Sequence, residues 1–554
     1  MHAFRRPAAA VLGIVALALT VQLLGGSFGG TFGPTVGGGP SPTSSAPAIV
    51  VGGASPTPTG TASSTPRPTP TPTPPTPSPS PSPREPAVAS VPIVPVTSFR
   101  NPWSTTDAAE LRAVLAGTSR RYAALELVAD EADAVLAALD LERPSGRTLV
   151  LAPDPETLAA DLAAHRDRIA LLRAEAVGPS VRALAWGKTS LFGVDRVRSL
   201  ADWPLTADLP PAAAPFDPAA TWTLVAGGDI LLDRGVAKTV KIDGQGVDFP
   251  FDGGVAEITG RTCCSAFGWK LPRTKRVGGG GAVRHLLTNA DLALANFENP
   301  APDRFRYHTS GTVFSADPAL IEGLANAGLD WVSLANNHIG DAGRAGIVQT
   351  RRNVERWGIA VSGAGANRAE AHAPAWLEAG GLRIAVFGYD TIAPSYAATA
   401  DRPGSAQLTV AAARADIAAA RKAGADLVVV YPHWGIEYRA TPTAAQRRLA
   451  RALVDAGADL VIGNHAHWAA AMEVYEGRPI WYALGNFVFD QTWSEPTMEG
   501  ILLELTFSGR ELVQARLHPF VILDRAQPNF LDPAGSGAVV LRQVFDGSKG
   551  LLPW

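Results

Sequence analysis

Residues 455–467 read Asp-Ala-Gly-Ala-Asp-Leu-Val-Ile-Gly-Asn-His-Ala-His, and the class of the fold can be inferred from them. The first half is a small-residue turn at the end of a helix, where Gly457 suits the left-handed conformation of a C-terminal cap. Leu460–Ile462 is a short apolar run, as expected for a parallel strand covered on both faces. Two histidines follow where that strand ends. The segment therefore predicts an α/β sheet with functional side chains at the carboxyl ends of its strands.

The same unit recurs three more times after Thr221. In each repeat, a turn of small residues with an aspartate leads into a short apolar run. The turns are Asn289-Ala290-Asp291, Asn326-Ala327-Gly328-Leu329-Asp330 and Lys422-Ala423-Gly424-Ala425-Asp426, and the runs after them are residues 292–296, 331–335 and 427–431. Helices that alternate with buried runs of this length predict parallel strands whose carboxyl ends share one edge.

Ligand-type side chains follow five of the predicted strands. The clusters are Gly227-Gly228-Asp229 after residues 224–226, Asn296-Phe297-Glu298, Asn336-Asn337-His338, Pro432-His433-Trp434-Gly435 with Glu437 just beyond, and His465 with His467. A single aspartate after a strand is usually a turn or helix cap, but five clusters in register favour a metal site. Carboxylate and imidazole suit Mn²⁺, Zn²⁺ or Fe²⁺. Because there are more ligands than one ion needs, we expect a two-metal cluster.

Six segments between residues 220 and 525 carry a family resemblance. They are Gly228-Asp229-Ile230-Leu231-Leu232-Asp233-Arg234, Asn296-Phe297-Glu298-Asn299-Pro300, Leu334-Ala335-Asn336-Asn337-His338-Ile339-Gly340-Asp341-Ala342-Gly343, His433-Trp434-Gly435-Ile436-Glu437-Tyr438, Gly463-Asn464-His465-Ala466-His467 and Leu484-Gly485-Asn486-Phe487-Val488-Phe489-Asp490. In this order the set resembles the CapA family of poly-γ-glutamate capsule synthesis proteins, which is similar to the calcineurin-like metallophosphoesterases. The resemblance does not cover the first 220 residues.

The resemblance implies a four-layer α/β/β/α sandwich over residues 220–525, with a dinuclear metal centre at the strand ends. The implied ligands are Asp229 and His467 on the first metal, Glu298 as the bridging carboxylate, and Asn337, His433 and His465 on the second metal. Matching by position makes His338 a general acid near the leaving group. Leu231 stands where the phosphoesterases carry a histidine, which weakens the first metal site. A centre with one ion therefore stays open beside a centre with two.

Four further residues are candidates for binding substrate. Arg234 and Glu437 stand close to ligand positions and could orient an anionic substrate or a metal-bound imidazole. Asn296 and Asn486 belong to the same strand-end segments, so we also place them beside the substrate.

The remainder of the chain divides by composition. Arg5 and Arg6 precede an apolar run over residues 8–24, so residues 1–30 are expected to be an uncleaved membrane anchor or a cleaved signal peptide. Residues 31–90 are rich in Pro, Ser and Thr, which predicts a disordered linker. Residues 91–208 are expected to form a smaller α/β domain of unassigned role, with a helix over residues 155–174. Residues 526–554 are left as a C-terminal tail.

Charge and cysteine content argue against other classes of protein. The formal net charge of −3 gives no support for nucleic acid as a partner. The two cysteines, Cys263 and Cys264, are adjacent, so a bond between them would close no loop and could not staple the fold. We expect two free thiols rather than a vicinal disulfide, and no zinc site built from cysteines.

These observations predict an extracytoplasmic enzyme held at the plasma membrane by its N-terminus, or secreted if the signal is cleaved. The expected activity is that of a metal-dependent hydrolase or transferase with one or two Mn, Zn or Fe ions. The expected substrate is a phosphoester, or an amide of a γ-linked glutamate or other cell-envelope polymer. The main alternative is a non-catalytic factor that binds or anchors capsular polymer at the membrane, and a solute-binding lobe is a third hypothesis.

Overall fold

The computed structural model describes residues 88–554, which belong to one folded unit. The predicted anchor or signal segment and nearly all of the Pro-rich linker lie outside the described residues. Between residues 88 and 554, no helix is both long and apolar enough to cross a bilayer.

Residues 89–209 form a sheet with an apolar core of its own. Its elements are β1 Ala89–Ser98, β2 Thr105–Thr106, α1 Ala108–Leu115, β3 Ala124–Val128, α2 Ala132–Ala138, β4 Leu149–Ala152, α3 Pro155–Ala164, β5 Arg168–Arg173, β6 Val181–Ala183, β7 Ala185–Trp186 and β8 Thr206–Leu209. The order is β4-β3-β5-β1-β6, with β8 beside β1. The expectation of one helix over residues 155–174 is wrong: α3 ends at Ala164, and residues 169–172 are buried in β5 because they are apolar on both faces of the strand.

Strands and short helices alternate from Thr221 to the C-terminus. In chain order they are β9 Thr221–Ile230, α4 Arg234–Ala237, β10 Val255–Thr262, β11 Leu271–Gly278, α5 Ala282–Thr288, β12 Leu292–Phe297, α6 Ile321–Asn326, β13 Trp331–Ser333, α7 Gly343–Glu355, β14 Ala360–Ser362, β15 Ala364–Gly365, α8 Arg368–His372, β16 Ala375–Ala379, β17 Leu382–Asp390, β18 Gly404–Ser405, α9 Val410–Lys422, β19 Leu427–His433, α10 Ala444–Asp455, β20 Leu460–Ile462, β21 Met472–Tyr475, β22 Arg478–Trp481, β23 Asn486–Val488, α11 Glu495–Met498, β24 Glu499–Ser508, β25 Glu511–Leu523, β26 Gln527–Leu531 and α12 Ala538–Gly547. The predicted apolar runs are all strands, and the last two elements lie in the segment that the sequence left as a tail.

Two sheets from this region pack face to face. The larger has the order β11-β10-β26-β25-β24-β9-β12-β13-β14 with β23 beside β9, and the smaller has the order β16-β17-β19-β20-β22-β21. Leu224 and Leu294 of the larger sheet share a core with Val429 and Ile462 of the smaller. Alternate residues on the outer faces pack against α5, α6 and α7 on one side and against α9 and α10 on the other. This is the four-layer α/β/β/α sandwich that the family resemblance implied.

The aspartate of each repeated turn joins neighbouring parallel strands at their amino ends. In every repeat its carboxylate accepts a hydrogen bond from a backbone N–H near the start of the adjacent strand, at 2.7–2.9 Å. The pairs are Asp291 with Thr223, Asp330 with Ala293, Asp426 with Arg383 and Asp459 with Val428. The repeated sequence therefore aligns the strands at one edge, which sets the register of the residues at the opposite edge.

Cys263 and Cys264 lie in the connection between β10 and β11 and are bonded to each other as a vicinal disulfide. The expectation of two free thiols is therefore wrong.

We expect Asp330→Ala to lower the free energy of unfolding by about 1–3 kcal/mol, because the substitution leaves the N–H of Ala293 without its acceptor. Asp330→Asn is the matched control, since its amide oxygen can still accept, and it should cost less. Urea unfolding of the three proteins measures the difference. Equal stability of Asp330→Ala and the unchanged protein would show that this contact does not hold the strands in register.

Candidate metal centre

The carboxyl ends of both sheets meet at one buried site. Asp229 stands near the end of β9 and Glu298 directly follows β12, both in the larger sheet. His433 ends β19 of the smaller sheet, and His465 and His467 follow β20. All five side chains are buried, each with at most 5% of its surface exposed. Strand ends far apart in the sequence, 236 positions for Asp229 and His465, thus deliver carboxylates and imidazoles to one place.

Local backbone geometry turns these side chains inward. His465 and His467 have φ angles of +89° and +55°, in the left-handed region that non-glycine residues rarely adopt. Beside Asp229, a Cβ atom on Gly228 would lie 1.8 Å from the carbonyl oxygen of Gly485, so only glycine permits this approach. The N–H of Asp229 donates to that same carbonyl at 3.1 Å. The loop sequences therefore aim the ligands at the cost of local strain.

Two triads of possible ligands share Glu298. One is Glu298, His433 and His465, and the other is Asp229, Glu298 and His467. Within each triad, the ligand atoms all lie within 4.8 Å of one another. Glu298 therefore occupies the bridging place between two groups that could each hold a metal ion.

The surroundings of the Glu298 carboxylate decide whether the site suits a cation. Neither of its oxygens has a hydrogen-bond partner among residues 88–554, although both are buried. Burial, followed by the charge of Asp229, raises the pKa of Glu298 well above its usual range. Such a group is costly unless something positive satisfies it. The nearest imidazole nitrogens, Nε2 of His433 and of His467, lie 3.5 and 3.9 Å from Oε1. The donor set therefore fits a metal ion.

His433 and His465 supply neutral nitrogen donors. Nε2 of His433 lies 2.7 Å from Oδ1 of Asn337 and 3.1 Å from Nδ1 of His465. Burial, and then the neighbouring histidines, lower the pKa of His433 well below its usual range, and burial lowers the pKa of His465 to about 3. The neutral imidazole is the form that binds metals. Asn337 therefore lies beside this triad, and its role as a metal ligand stays a prediction.

Asn296 and Asn486 orient ligand side chains. The Asn296 amide donates to Oδ1 of Asp229 at 2.7 Å and lies 3.3 Å from Nδ1 of His433. Oδ1 of Asn486 lies 2.8 Å from Nδ1 of His467, and its amide donates to the carbonyl of Thr497. Both asparagines are buried. Asn296 and Asn486 therefore position the ligand side chains. That these two asparagines also contact a substrate stays a prediction.

His338 forms a dyad with a residue that the sequence analysis did not single out. Its Nδ1 lies 2.9 Å from Oδ2 of Asp341, and 13% of its side chain is exposed. Asp341 also accepts the N–H of Phe314, whose ring centroid lies 4.1 Å from that of His338. The carboxylate fixes Nδ1 and leaves Nε2 for proton exchange. The sequence feature that could have indicated this dyad is the aspartate three positions after His338, in the Asn-Asn-His-Ile-Gly-Asp segment.

Arg234 lies at the rim of the centre. Its guanidinium pairs with Asp490, donates to the carbonyl of Gly311 at 2.7 Å and lies over the ring of Phe314. Its charge opposes the rise in the pKa of Glu298, whereas the charge of Glu437 adds to that rise. Arg234 and Glu437 are therefore near enough to act on the site electrostatically. Asp490, which holds Arg234 in place, was not assigned a role from the sequence.

Comparison with known proteins gives four findings. The family described as "Bacterial capsule synthesis protein PGA_cap" matches residues 223–491, a range that contains every residue of the two triads. The capsule biosynthesis protein CapA of Bacillus anthracis is 35% identical over 288 residues, which are 50% of this chain and 70% of that protein. The PGA biosynthesis protein CapA of Bacillus subtilis (strain 168) is 34% identical over 216 residues, which are 38% of this chain and 57% of that protein. A solved structure, the 5'-nucleotidase precursor from Thermus thermophilus, has 17% identity and a TM-score of 0.32 over 60% of this chain and 59% of its own, too slight a likeness to support an argument.

We expect Glu298→Gln to separate metal binding from folding. Without added metal its melting temperature should equal or exceed that of the unchanged protein, because a desolvated charge beside Asp229 is removed. With Mn²⁺ or Zn²⁺ at about 100 times Kd, the unchanged protein should gain about 2.7 kcal/mol and the variant less than half of that. Thermal unfolding with chelator and with metal measures both effects.

Glu499→Gln is the matched control, because Glu499 is also buried, has an oxygen without a hydrogen-bond partner in the described range, and belongs to neither triad. Its metal-induced shift should equal that of the unchanged protein. A shift of full size in Glu298→Gln would show that the metal binds elsewhere.

Proposed function

This chain belongs to the family of bacterial capsule synthesis proteins that includes CapA, and we propose that it is a metal-dependent hydrolase or transferase of a capsular or cell-envelope polymer. The single observation that carries the proposal is the carboxylate of Glu298, which lies between two triads of ligands and has no hydrogen-bond partner within residues 88–554. The names of the relatives, a capsule and a PGA biosynthesis protein, support a polymer of the poly-γ-glutamate type as the substrate.

The residues that would hold the metal are Asp229, Glu298 and His467 on one side, and Glu298, Asn337, His433 and His465 on the other. Carboxylate, amide and imidazole donors suit Mn, Zn or Fe. When bound, such an ion supplies a lowered pKa for water and polarisation of the scissile bond. Leu231 is fully buried in the apolar core and offers no ligand, so the Asp229 side has one donor fewer than the phosphoesterase pattern.

The chain's own side chains supply the proton chemistry. Asp341 holds Nδ1 of His338, so Nε2 is the atom that donates a proton to the leaving group. The charge of His338 contributes to the lowered pKa values of His433 and His465, which supports its nearness to the centre. Arg234, held by Asp490, presents a positive charge to an anionic group of the substrate.

The cellular location in this proposal is outside the plasma membrane. Residues 1–30 would anchor the chain or export it, and the Pro-rich residues 31–90 would hold the folded part away from the membrane. The missing histidine at Leu231 favours one alternative, a non-catalytic factor that binds capsular polymer.

The test is the activity of the purified full chain with measured metal content, on phosphodiester and poly-γ-glutamate substrates. We expect His433→Ala with His465→Ala to lower kcat/KM more than about 100-fold, because the triad loses both nitrogen donors. His285→Ala with His372→Ala is the matched control, since these histidines pair with Asp195 and Asp416 outside the centre.

Full activity in the His433 and His465 double variant would contradict the mechanism. Stoichiometric metal with no turnover of any substrate would favour the polymer-binding alternative.

A further inference from the structure

The hairpin formed by β10 and β11 is basic within an acidic chain. Residues 255–278 contain one acidic side chain, Glu257, whereas the formal net charge of the whole chain is −3. The basic side chains of the hairpin are Arg261, Lys270, Arg273, Lys275 and Arg276. The hairpin is therefore a local positive surface.

Three of these cations are available to a ligand. Lys270, Arg273 and Lys275 are exposed, and none forms an ion pair with another residue between 88 and 554. By contrast, Arg261 pairs with Glu495 and Arg276 pairs with Asp524. The first three form no ion pair in the described part of the chain, although Glu257 stands opposite Lys275 in the strand pair, while the other two fix the hairpin to the body of the protein.

The connection between the two strands reaches the rim of the metal centre. The ring of Phe267 lies 5.4 Å from that of Trp493, and the ring of Trp269 lies 5.9 Å from that of Trp468, centroid to centroid. Phe267 and Trp269 are 63% and 38% exposed. The tip of the hairpin therefore packs against two tryptophans, which belong to the loops after β20 and β23.

Those two tryptophans both contact Tyr438, which contacts a ligand. The centroid of Tyr438 lies 4.8 Å from Trp493 and 6.4 Å from Trp468. The same ring stacks at 6.0 Å on His467. A continuous row of aromatic rings thus runs from the tip of the hairpin to the centre.

A groove at the foot of the hairpin leads to the same place. Three cavities of about 290, 610 and 340 Å³ adjoin Arg525, which lies in the wall of each. The first is lined by Arg234 at the rim of the centre, and the last by Thr274 of β11. Arg525 is exposed and has no ion pair with another residue between 88 and 554. The other cations in its walls are paired, Arg234 with Asp490, Lys238 with Asp243 and Arg276 with Asp524, so in the described part of the chain Arg525 supplies the unpaired positive charge of the groove.

We propose that the β10–β11 hairpin and this groove bind an anionic polymer, a chain with a carboxylate on each repeating unit, and lead it to the metal centre. The proposal rests on the proposed function and names the surface that recognises the substrate. Arg273 and Lys275 are two residues apart in β11, so they lie about 7 Å apart on one face and can meet successive carboxylates. The aromatic row offers flat surface to the uncharged parts of the same chain.

A membrane surface is the competing ligand for a basic hairpin with aromatic residues at its tip. Insertion into lipid headgroups needs rings that point away from the protein. Here both rings pack against Trp493 and Trp468 beside the centre. This contact favours the polymer.

The test compares two triple variants of the full, metal-loaded chain. Lys270→Gln, Arg273→Gln and Lys275→Gln together remove the unpaired charges of the hairpin. Arg112→Gln, Arg120→Gln and Lys188→Gln are the matched control, because these residues are also exposed and unpaired within the range that the structure describes but lie before residue 210. The measurements are the Kd for poly-γ-glutamate at two salt concentrations, binding to phosphatidylglycerol vesicles, the melting temperature and the metal content.

We expect the hairpin variant to bind the polymer about tenfold more weakly, with a shallower dependence on salt and with unchanged melting temperature and metal content. The control should stay within about twofold of the unchanged protein. Equal affinity in both triple variants would overturn the proposal. Loss of binding to phosphatidylglycerol vesicles with polymer binding intact would also overturn it and assign the hairpin to the membrane.

The double variant at the metal centre distinguishes the failure of this proposal from the failure of the proposed function. His433→Ala with His465→Ala should lose turnover but keep hairpin-dependent binding of poly-γ-glutamate, because the hairpin is intact. If the unchanged, metal-loaded protein shows no turnover but binds the polymer through the hairpin, the enzyme is rejected and the binding surface is kept. Turnover without hairpin-dependent binding would do the reverse.

Discussion

One buried carboxylate, without a hydrogen-bond partner in the part of the chain that the structure describes, is the point on which both sheets converge. Glu298 lies between Asp229 and three imidazoles because the two sheets place their carboxyl edges against each other. A protein gains nothing in stability from such an arrangement, since burial of an unpaired carboxylate is costly. The packed core between the sheets offsets that cost, and the left-handed backbone of His465 and His467 adds to it. Strain and desolvation concentrated at one point are the mark of a site selected for binding.

Much of this arrangement could be predicted because a short pattern repeats. The turn with an aspartate appears before four strands, and the structure explains why: each aspartate accepts a hydrogen bond from the neighbouring strand, so the repeat encodes strand adjacency as well as strand position. Once the amino ends are aligned, Asp229, Glu298, His433 and His465 have to emerge at the opposite edge. The ligand set therefore follows from local sequence.

The sequence is less informative where an apolar run fits both a helix and a strand. It is also less informative where two residues that contact each other lie far apart in the chain. Residues 169–172 are all apolar and so fit a helix as well as a strand, and the end of α3 was therefore misplaced. The roles of Asp341 and Asp490 depend on which side chain they face, and no pattern in the chain indicates that Asp490 holds Arg234, which lies 256 positions away. The hairpin was missed because β11 is polar on both faces and lacks the alternation of a half-buried strand.

The decisive experiment is a crystal of the protein grown with Mn²⁺ and measured by anomalous diffraction at the manganese edge. We predict an anomalous peak about 2.0–2.3 Å from a carboxylate oxygen of Glu298, with imidazole nitrogens from His433 and His465 or from His467 in the same coordination shell. A map with no peak at Glu298, and with its two oxygens hydrogen-bonded to ordered water or to protein donors instead, would show that this carboxylate is not a metal ligand.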